Sequence, residues 1–295
     1  MKWLKGIGLL LIANVLIFVT LSITFFLLVN IILPAFGIDV RDSVNQQDLV
    51  WALVIGFGGA FISLAFSKQM ARMMLDCYQI TQPRNPAEQV IYGAVQEIAQ
   101  RLHMTMPEVW VYDSPDPNAF ATGPSKNNSM VAVSTGLLNN LKDKEVQAVL
   151  AHEMGHVYNG DMFTTTVLAG LMNTFVYLIS RWAYRNLAER NAMLGLGVYY
   201  FLQIVLSFLA MIPISWFSRR REYAADAFSA KVYGKDAMIS ALRAIDQWVN
   251  KAQFEHSTQD ALATMKISGK SSGFLHMFAT HPPIEDRVTA LQRLA

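Results

Sequence analysis

The sequence predicts a mainly α-helical integral membrane protein of about four transmembrane helices, with a small antiparallel β-sheet and a helical core built around a metal-binding helix. Three observations set this class. Of the 295 residues, 53% are hydrophobic and only 16% charged, too apolar a composition for a routine soluble domain. Four apolar stretches have the length of membrane spans. Between the second and third lies a segment with capping, turn and strand signals that ends in the run His152-Glu153-Met154-Gly155-His156.

Residues 1–6 carry Lys2 and Lys5 and precede an uncharged apolar stretch, 7–33. At ~1.5 Å per residue this stretch is long enough to cross a ~30 Å hydrocarbon core with some tilt. The run is too long for a signal peptide and lacks a clean small-residue cleavage site, so it reads as a retained anchor. Residues 34–48 form a loop. The second span, 49–66, is rich in small residues (Gly56, Gly58, Gly59, Ala60), which suits close helix packing in lipid.

Residues 67–160 read as a folded region outside the bilayer. Asn85, Pro86 and Glu88 combine a capping residue, a proline at the first helical position and an acid three residues after the cap. The helix they open has Val90, Ile91, Ala94, Val95, Ile98 and Leu102 at buried spacing. Short strands follow at 109–112 and 130–134, with 118–122 between them, bounded by Asp116-Pro117 and Gly123-Pro124. The 118–122 run suits an edge strand to which an extended peptide can add through Asn118, Ala119, Phe120 and Ala121, or a plain structural strand. The next helix, with Val146, Val149 and Leu150 at helical spacing, has Asp143 or Asn140 as candidate cap and carries the histidines.

That helix holds the decisive motif. Residues four apart share a helix face, so His152 and His156 can hold one metal while Glu153 projects beside it toward a water. A hydrolytic zinc site takes a third protein ligand, preferably a carboxylate, and leaves one position open. Glu222 fits, and Asp226 one turn later can orient a ligating imidazole. His103, His256 and His276 stand singly and read as ordinary surface or core residues.

Two further apolar stretches, 163–180 and 192–217, separate His156 from Glu222. Both residues must reach one ion, so the intervening chain must leave and return to the same side, by a hairpin that crosses the membrane or one lying in a hydrophobic groove. Residues 218–295 follow, with a polar segment after Phe254. Lys2, Lys5, Lys68, Arg72 and the arginines at 219–221 share one side in a four-span arrangement, which makes that side cytoplasmic and the 34–48 loop periplasmic. Arg181, Arg185 and Arg190, at the far end of the second hairpin, count against it.

The net charge of +2 and the lack of basic stretches interleaved with aromatics give no case for nucleic-acid binding. Cys77 is the only cysteine, so neither an internal disulfide nor a cysteine metal cluster is possible. A transporter or scaffold with a structural metal is the rival class. The spans, however, contain no acidic pair or inverted repeat, and a structural site would close its fourth position with Cys or His. An inactive adaptor that captures unfolded segments on the edge strand is another.

The HExxH run, the Glu222 and Asp226 pair, the run 118–123, Asn159-Gly160-Asp161 and Thr280-His281-Pro282-Pro283 together resemble the HtpX family of bacterial membrane proteases, related to the CAAX prenyl proteases. The resemblance covers nearly the whole chain. It implies a gluzincin-type zinc endopeptidase of the inner membrane, with one Zn2+ per subunit, the active site facing the cytoplasm and misfolded or damaged membrane proteins as substrates. It also implies a function for His281, as stabiliser of the tetrahedral oxyanion or as an extra metal ligand in a resting enzyme.

Overall fold

The computed structural model describes residues 31, 46–256 and 281–294. The expected first span apart from Ile31, most of the 34–48 loop, His276 and the polar segment beyond 256 lie outside the described residues. In chain order the elements are α1 (Gln46–Ala65), α2 (Ser67–Met74), β1 (Cys77–Gln79), α3 (Pro86–Arg101), β2 (Glu108–Tyr112), β3 (Ala119–Ser125), β4 (Asn128–Ser134) and α4 (Thr135–Asn140). There follow α5 (Asp143–Asn159), α6 (Asp161–Ala188), α7 (Ala192–Tyr233), α8 (Lys235–His256) and α9 (Ile284–Gln292). Of these, α1, α6 and α7 are long and apolar enough to cross a membrane. The described residues fall into two units, 46–59 with 170–208, and 60–169 with 209–294.

In the first unit small residues do the work expected of them in lipid. A side chain at Gly56 would collide with Thr174 and the Gly170 carbonyl, and one at Gly170 with the Phe57 ring, so α1 and α6 meet backbone to backbone. Asp48, in the first turn of α1, accepts from Arg185 Nη1 at 2.5 Å and pairs with Arg181 Nε at 3.4 Å. These two arginines belong to α6 itself, which runs to Ala188, rather than to a loop.

The second unit is built on a four-stranded sheet of order β1-β2-β4-β3. The sheet is mixed, not antiparallel throughout: β1 and β3 pair antiparallel with their neighbours, but β2 and β4 run parallel. The cause lies in the connection. After β2 the chain crosses to the outer edge to make β3, then turns back to insert β4 between β3 and β2. Residues 129–134 of β4 are all buried, as befits a strand covered on both faces. On one face Val109, Val111, Val131 and Val133 pack against Ile91, Val95 and Ile98 of α3 and Val146, Leu150 and Met154 of α5. On the other, Tyr112, Met130 and Ala132 meet Ala71 and Leu75 from α2 and its C-terminal end.

The capping of α3 is as the sequence expects: Asn85 Oδ1 accepts from Glu88 N at 2.8 Å, and Asn85 Nδ2 donates to Glu88 Oε1 at 3.0 Å. The start of α5 differs. Neither Asp143 nor Asn140 caps it; Lys142 is the cap residue and its N–H donates to Glu145 Oε2 at 2.8 Å, while Asn140 bonds back to Gly136. The end of α5 is Gly160, at φ 70, a left-handed terminator that frees the chain to begin α6 at the next residue. A second difference concerns α7. It continues without interruption through Pro213 to Tyr233, so the expected fourth span and the acid pair Glu222 and Asp226 share one helix.

Candidate metal centre

Helix α5 brings the two imidazoles together one turn apart, with Nε2 of His152 and Nε2 of His156 at 3.2 Å and the rings edge to face. Glu222 reaches them from α7: Oε2 lies 3.5 Å from His152 Nε2, and Oε1 lies 3.3 Å from His156 Nε2. Gly155 makes this approach possible. A Cβ there would press on Ala225 Cα at 3.3 Å and on the Phe228 ring at 3.2 Å, so a larger residue would push α7 and its carboxylate away. Ser229 Oγ, donating to the Ala148 carbonyl at 2.6 Å, fastens the same crossing.

Each imidazole is oriented from behind. Nδ1 of His152 donates to Asp226 Oδ1 at 2.9 Å, and Nδ1 of His156 donates to Asp161 Oδ2 at 2.7 Å. With the proton held on Nδ1, both Nε2 lone pairs face each other and the Glu222 carboxylate. That arrangement is repulsive unless a cation lies between them. The spacing leaves room for one: ligand atoms ~2.05 Å from a tetrahedral ion stand about 3.3 Å apart, the two Nε2 atoms are 3.2 Å apart, and each has a different Glu222 oxygen at 3.3 or 3.5 Å. His152, His156 and Glu222 can therefore hold a metal, and they form the single such cluster among the described residues.

Charge gives the same answer. Glu153, Asp161, Glu222 and Asp226 supply four carboxylates, and Arg221 and Arg287 two guanidiniums, on Asp161 and Asp226 respectively. With neutral imidazoles the cluster keeps two negative charges, which one divalent ion balances. Burial pulls the His156 imidazole down, but the Asp161 and Glu222 carboxylates outweigh it and push its pKa up to about 10. Such a nitrogen holds either a proton or a metal. Desolvation pushes the half-buried Glu153 carboxyl up while the two imidazoles pull it back, the balance that keeps a carboxylate basic enough to take a proton from water.

Two residues of this cluster carry no role in the sequence reading. Asp161 stands just beyond the Gly160 terminator, hydrogen-bonds His156 and, through Oδ1 at 2.5 Å, forms an ion pair with Arg221 of α7. Its signal is faint: an acid directly after a helix-ending glycine, five residues from the second histidine of the motif. Arg287 of α9 is buried, with Nη1 3.3 Å from Glu222 Oε2. No periodicity distinguishes it from a surface arginine. His281 precedes α9, and its Nδ1 lies 2.9 Å from Glu222 Oε2 with 61% of the side chain exposed. His103 is exposed just beyond α3, away from the cluster.

Strand β3 is at the sheet edge, beside α5. Ser134 N donates to the Asn118 carbonyl at 2.9 Å and Asn118 N donates to the Ser134 hydroxyl at 2.9 Å, so the Asn118 backbone groups face β4. Antiparallel pairs alternate. In the observed register, Ala119 opposite Val133 and Ala121 opposite Val131 are then the residues whose N–H and C=O point away from β4.

Residues 87–295 match the family described as peptidase family M48. The chain is 44% identical over 272 residues to the Protease HtpX homolog of Methylacidiphilum infernorum (isolate V4), covering 89% of each. It is 42% identical over 286 residues to Protease HtpX of Pasteurella multocida (strain Pm70), covering 95% of this chain and 98% of the relative. The crystal structure of S. mikatae Ste24p shares the fold, with a TM-score of 0.62 at 20% identity over 94% of this chain and 67% of that one. Together with the apolar helices, these likenesses define a membrane metalloendopeptidase. The chain belongs to peptidase family M48 and, within it, to the HtpX proteases.

Proposed function

We propose that the metal is zinc, one ion per subunit, and that the chain cleaves misfolded or damaged membrane proteins at the cytoplasmic face of a bacterial inner membrane. The observation that carries the metal site is the convergence of His152 Nε2, His156 Nε2 and the Glu222 carboxylate, with both Nδ1 atoms tied to carboxylates. When bound, zinc supplies Lewis acidity, polarising the scissile carbonyl and lowering the pKa of water.

The residues divide the remaining work. Glu153 takes the proton of the attacking water and passes it to the leaving amine. Asp226 and Asp161 keep His152 and His156 in the tautomer and orientation that a metal requires. The outward groups of Ala119 and Ala121 hold the substrate backbone extended, as an added strand in the 118–121 segment. His281, on the exposed side of the site, stabilises the oxyanion or serves as an extra metal ligand in the resting enzyme.

Casein cleavage and metal analysis on the detergent-purified full chain test this reading. About one zinc per subunit and chelator-sensitive cleavage are expected; a metal-free, inactive preparation that zinc does not restore would overturn it. For the topology, we propose four crossings with residues 1–6, 67–160 and 218–295 cytoplasmic. Of the three arginines that oppose this orientation, Arg181 and Arg185 share the Asp48 carboxylate, which reduces their weight as free charges. A cysteine at Asn186, with Cys77 replaced, should react with an impermeant thiol reagent from the periplasm; protection there would favour a hairpin that does not cross.

A further inference from the structure

Helix α2 has its polarity inverted relative to an ordinary surface helix. Lys68 is buried and turned inward, its Nζ donating to Glu108 Oε1 at 2.7 Å and to Asn128 Oδ1 at 2.8 Å. Arg72 also pairs with Glu108 and lies over the Trp110 ring, 4.8 Å from its centroid. The opposite side carries Met70, Met73 and Met74, with Met73 86% and Met74 78% exposed. Ile62 and Phe66, also exposed, continue this face back into the end of α1. At 100° per residue, positions 62, 66, 70, 73 and 74 fall on one stripe, with Gln69 at its margin.

A stripe of five large apolar side chains in water is costly, at ~25 cal/mol per Å² of exposed apolar surface. Its place in the chain says what covers it. Phe66 is the sole residue between α2 and α1, and α1 is long and apolar enough to span the bilayer. The chain therefore leaves the hydrocarbon where the stripe continues.

We infer that the Phe66, Met70, Met73 and Met74 face of α2 is seated in the headgroup and acyl boundary of the membrane, while its Lys68 and Arg72 face binds the protease sheet. The helix is an interfacial one with its charges turned toward protein instead of water. Methionines suit this layer because flexible thioether chains adapt to irregular surroundings. Through Ala71 and Leu75, which pack with Met130, Ala132 and Phe120, α2 then holds the face of the sheet beside β3 against the bilayer surface. The edge strand is offered to polypeptide at the height where a segment leaves the membrane. This inference rests on the membrane location and not on the metal site, so a failed cleavage assay leaves it standing.

The test uses the full chain with Cys77→Ala and a single cysteine at Met73, labelled with a bimane fluorophore. It is reconstituted into phosphatidylethanolamine and phosphatidylglycerol vesicles. A second protein labelled at the exposed Lys126 serves as the aqueous reference. A melting temperature matching that of the unlabelled protein shows that each labelled protein is native. Lipid carrying a doxyl group near the head of the acyl chain should quench the Met73 label several-fold more than the Lys126 label, and aqueous iodide should show the reverse order. Equal quenching at the two positions would overturn the inference. So would protection of the Met73 label from both quenchers, which would mean that protein, a second copy or another part of the chain, covers the face.

Discussion

Arg287 grips Asp226 with both arms of its guanidinium, Nε donating to Oδ2 at 2.8 Å and Nη2 to Oδ1 at 2.6 Å. The same Asp226 oxygen accepts from Nδ1 of His152 at 2.9 Å, so α9 reaches the metal cluster through a chain of three side chains. All three are buried. Removing one charge from such a group strands its partner.

Arg287→Ala should therefore cost about 3–5 kcal/mol of stability and weaken zinc binding about 10- to 100-fold. Arg287→Lys restores the charge but not the two-point geometry and should fall between the two. Thermal melts and zinc titration against a competing chelator read both effects. Wild-type zinc affinity in a folded Arg287→Ala protein would separate the arginine from the metal centre.

Glu153→Gln keeps the shape and the metal ligands but cannot accept a proton. Zinc content should stay at the wild-type level while casein cleavage falls about 10²- to 10⁴-fold. Substantial residual turnover would assign the base elsewhere.

Glu222→Ala deletes a proposed ligand and should release zinc outright. Asp161→Asn should be milder, with zinc affinity down about 10- to 100-fold, because the amide can offer its NH2 to His156 Nδ1 and favour the wrong tautomer. Metal analysis after dialysis distinguishes the grades. Full occupancy in Glu222→Ala would mean that the third ligand is another residue.

Ala119→Pro removes an outward N–H and leaves the β3–β4 ladder its own bonds. The expected result is a raised KM with zinc retained and the melting temperature little changed. A collapse in stability would make β3 a structural strand only.

His281→Ala should lower kcat about 10²- to 10³-fold with little change in zinc affinity if the imidazole stabilises the oxyanion. If it serves instead as an extra ligand in the resting state, activity should rise and zinc affinity fall modestly. Steady-state kinetics with zinc titration decide between them, and wild-type values in both would remove His281 from the mechanism.

What the sequence made legible is what local physics encodes. Four-residue spacing placed His152 and His156 on one face, the Asn85-Pro86 start signalled α3, and apolar length marked α1, α6 and α7. The requirement for a third ligand on another helix pointed to Glu222. Other features depend on chain segments meeting across long separations. Parallel pairing of β2 with β4 follows from where β3 goes, which no strand pattern records. Arg287 looks like any surface arginine until α9 packs against α7. The end of the fourth apolar stretch at 217 reads as a helix end because the composition changes there, yet the helical hydrogen bonds of α7 continue across that boundary.

Asp161 occupies two structures at once: it opens helix α6, and it holds the imidazole of His156. No linker stands between them, since Gly160 is the only residue separating α5 from α6. A tilt at the start of α6 is thereby delivered directly to the orientation of His156, without slack to absorb it. For this chain the thickness and composition of the surrounding lipid belong with pH and metal concentration among the quantities to fix before one rate is compared with another.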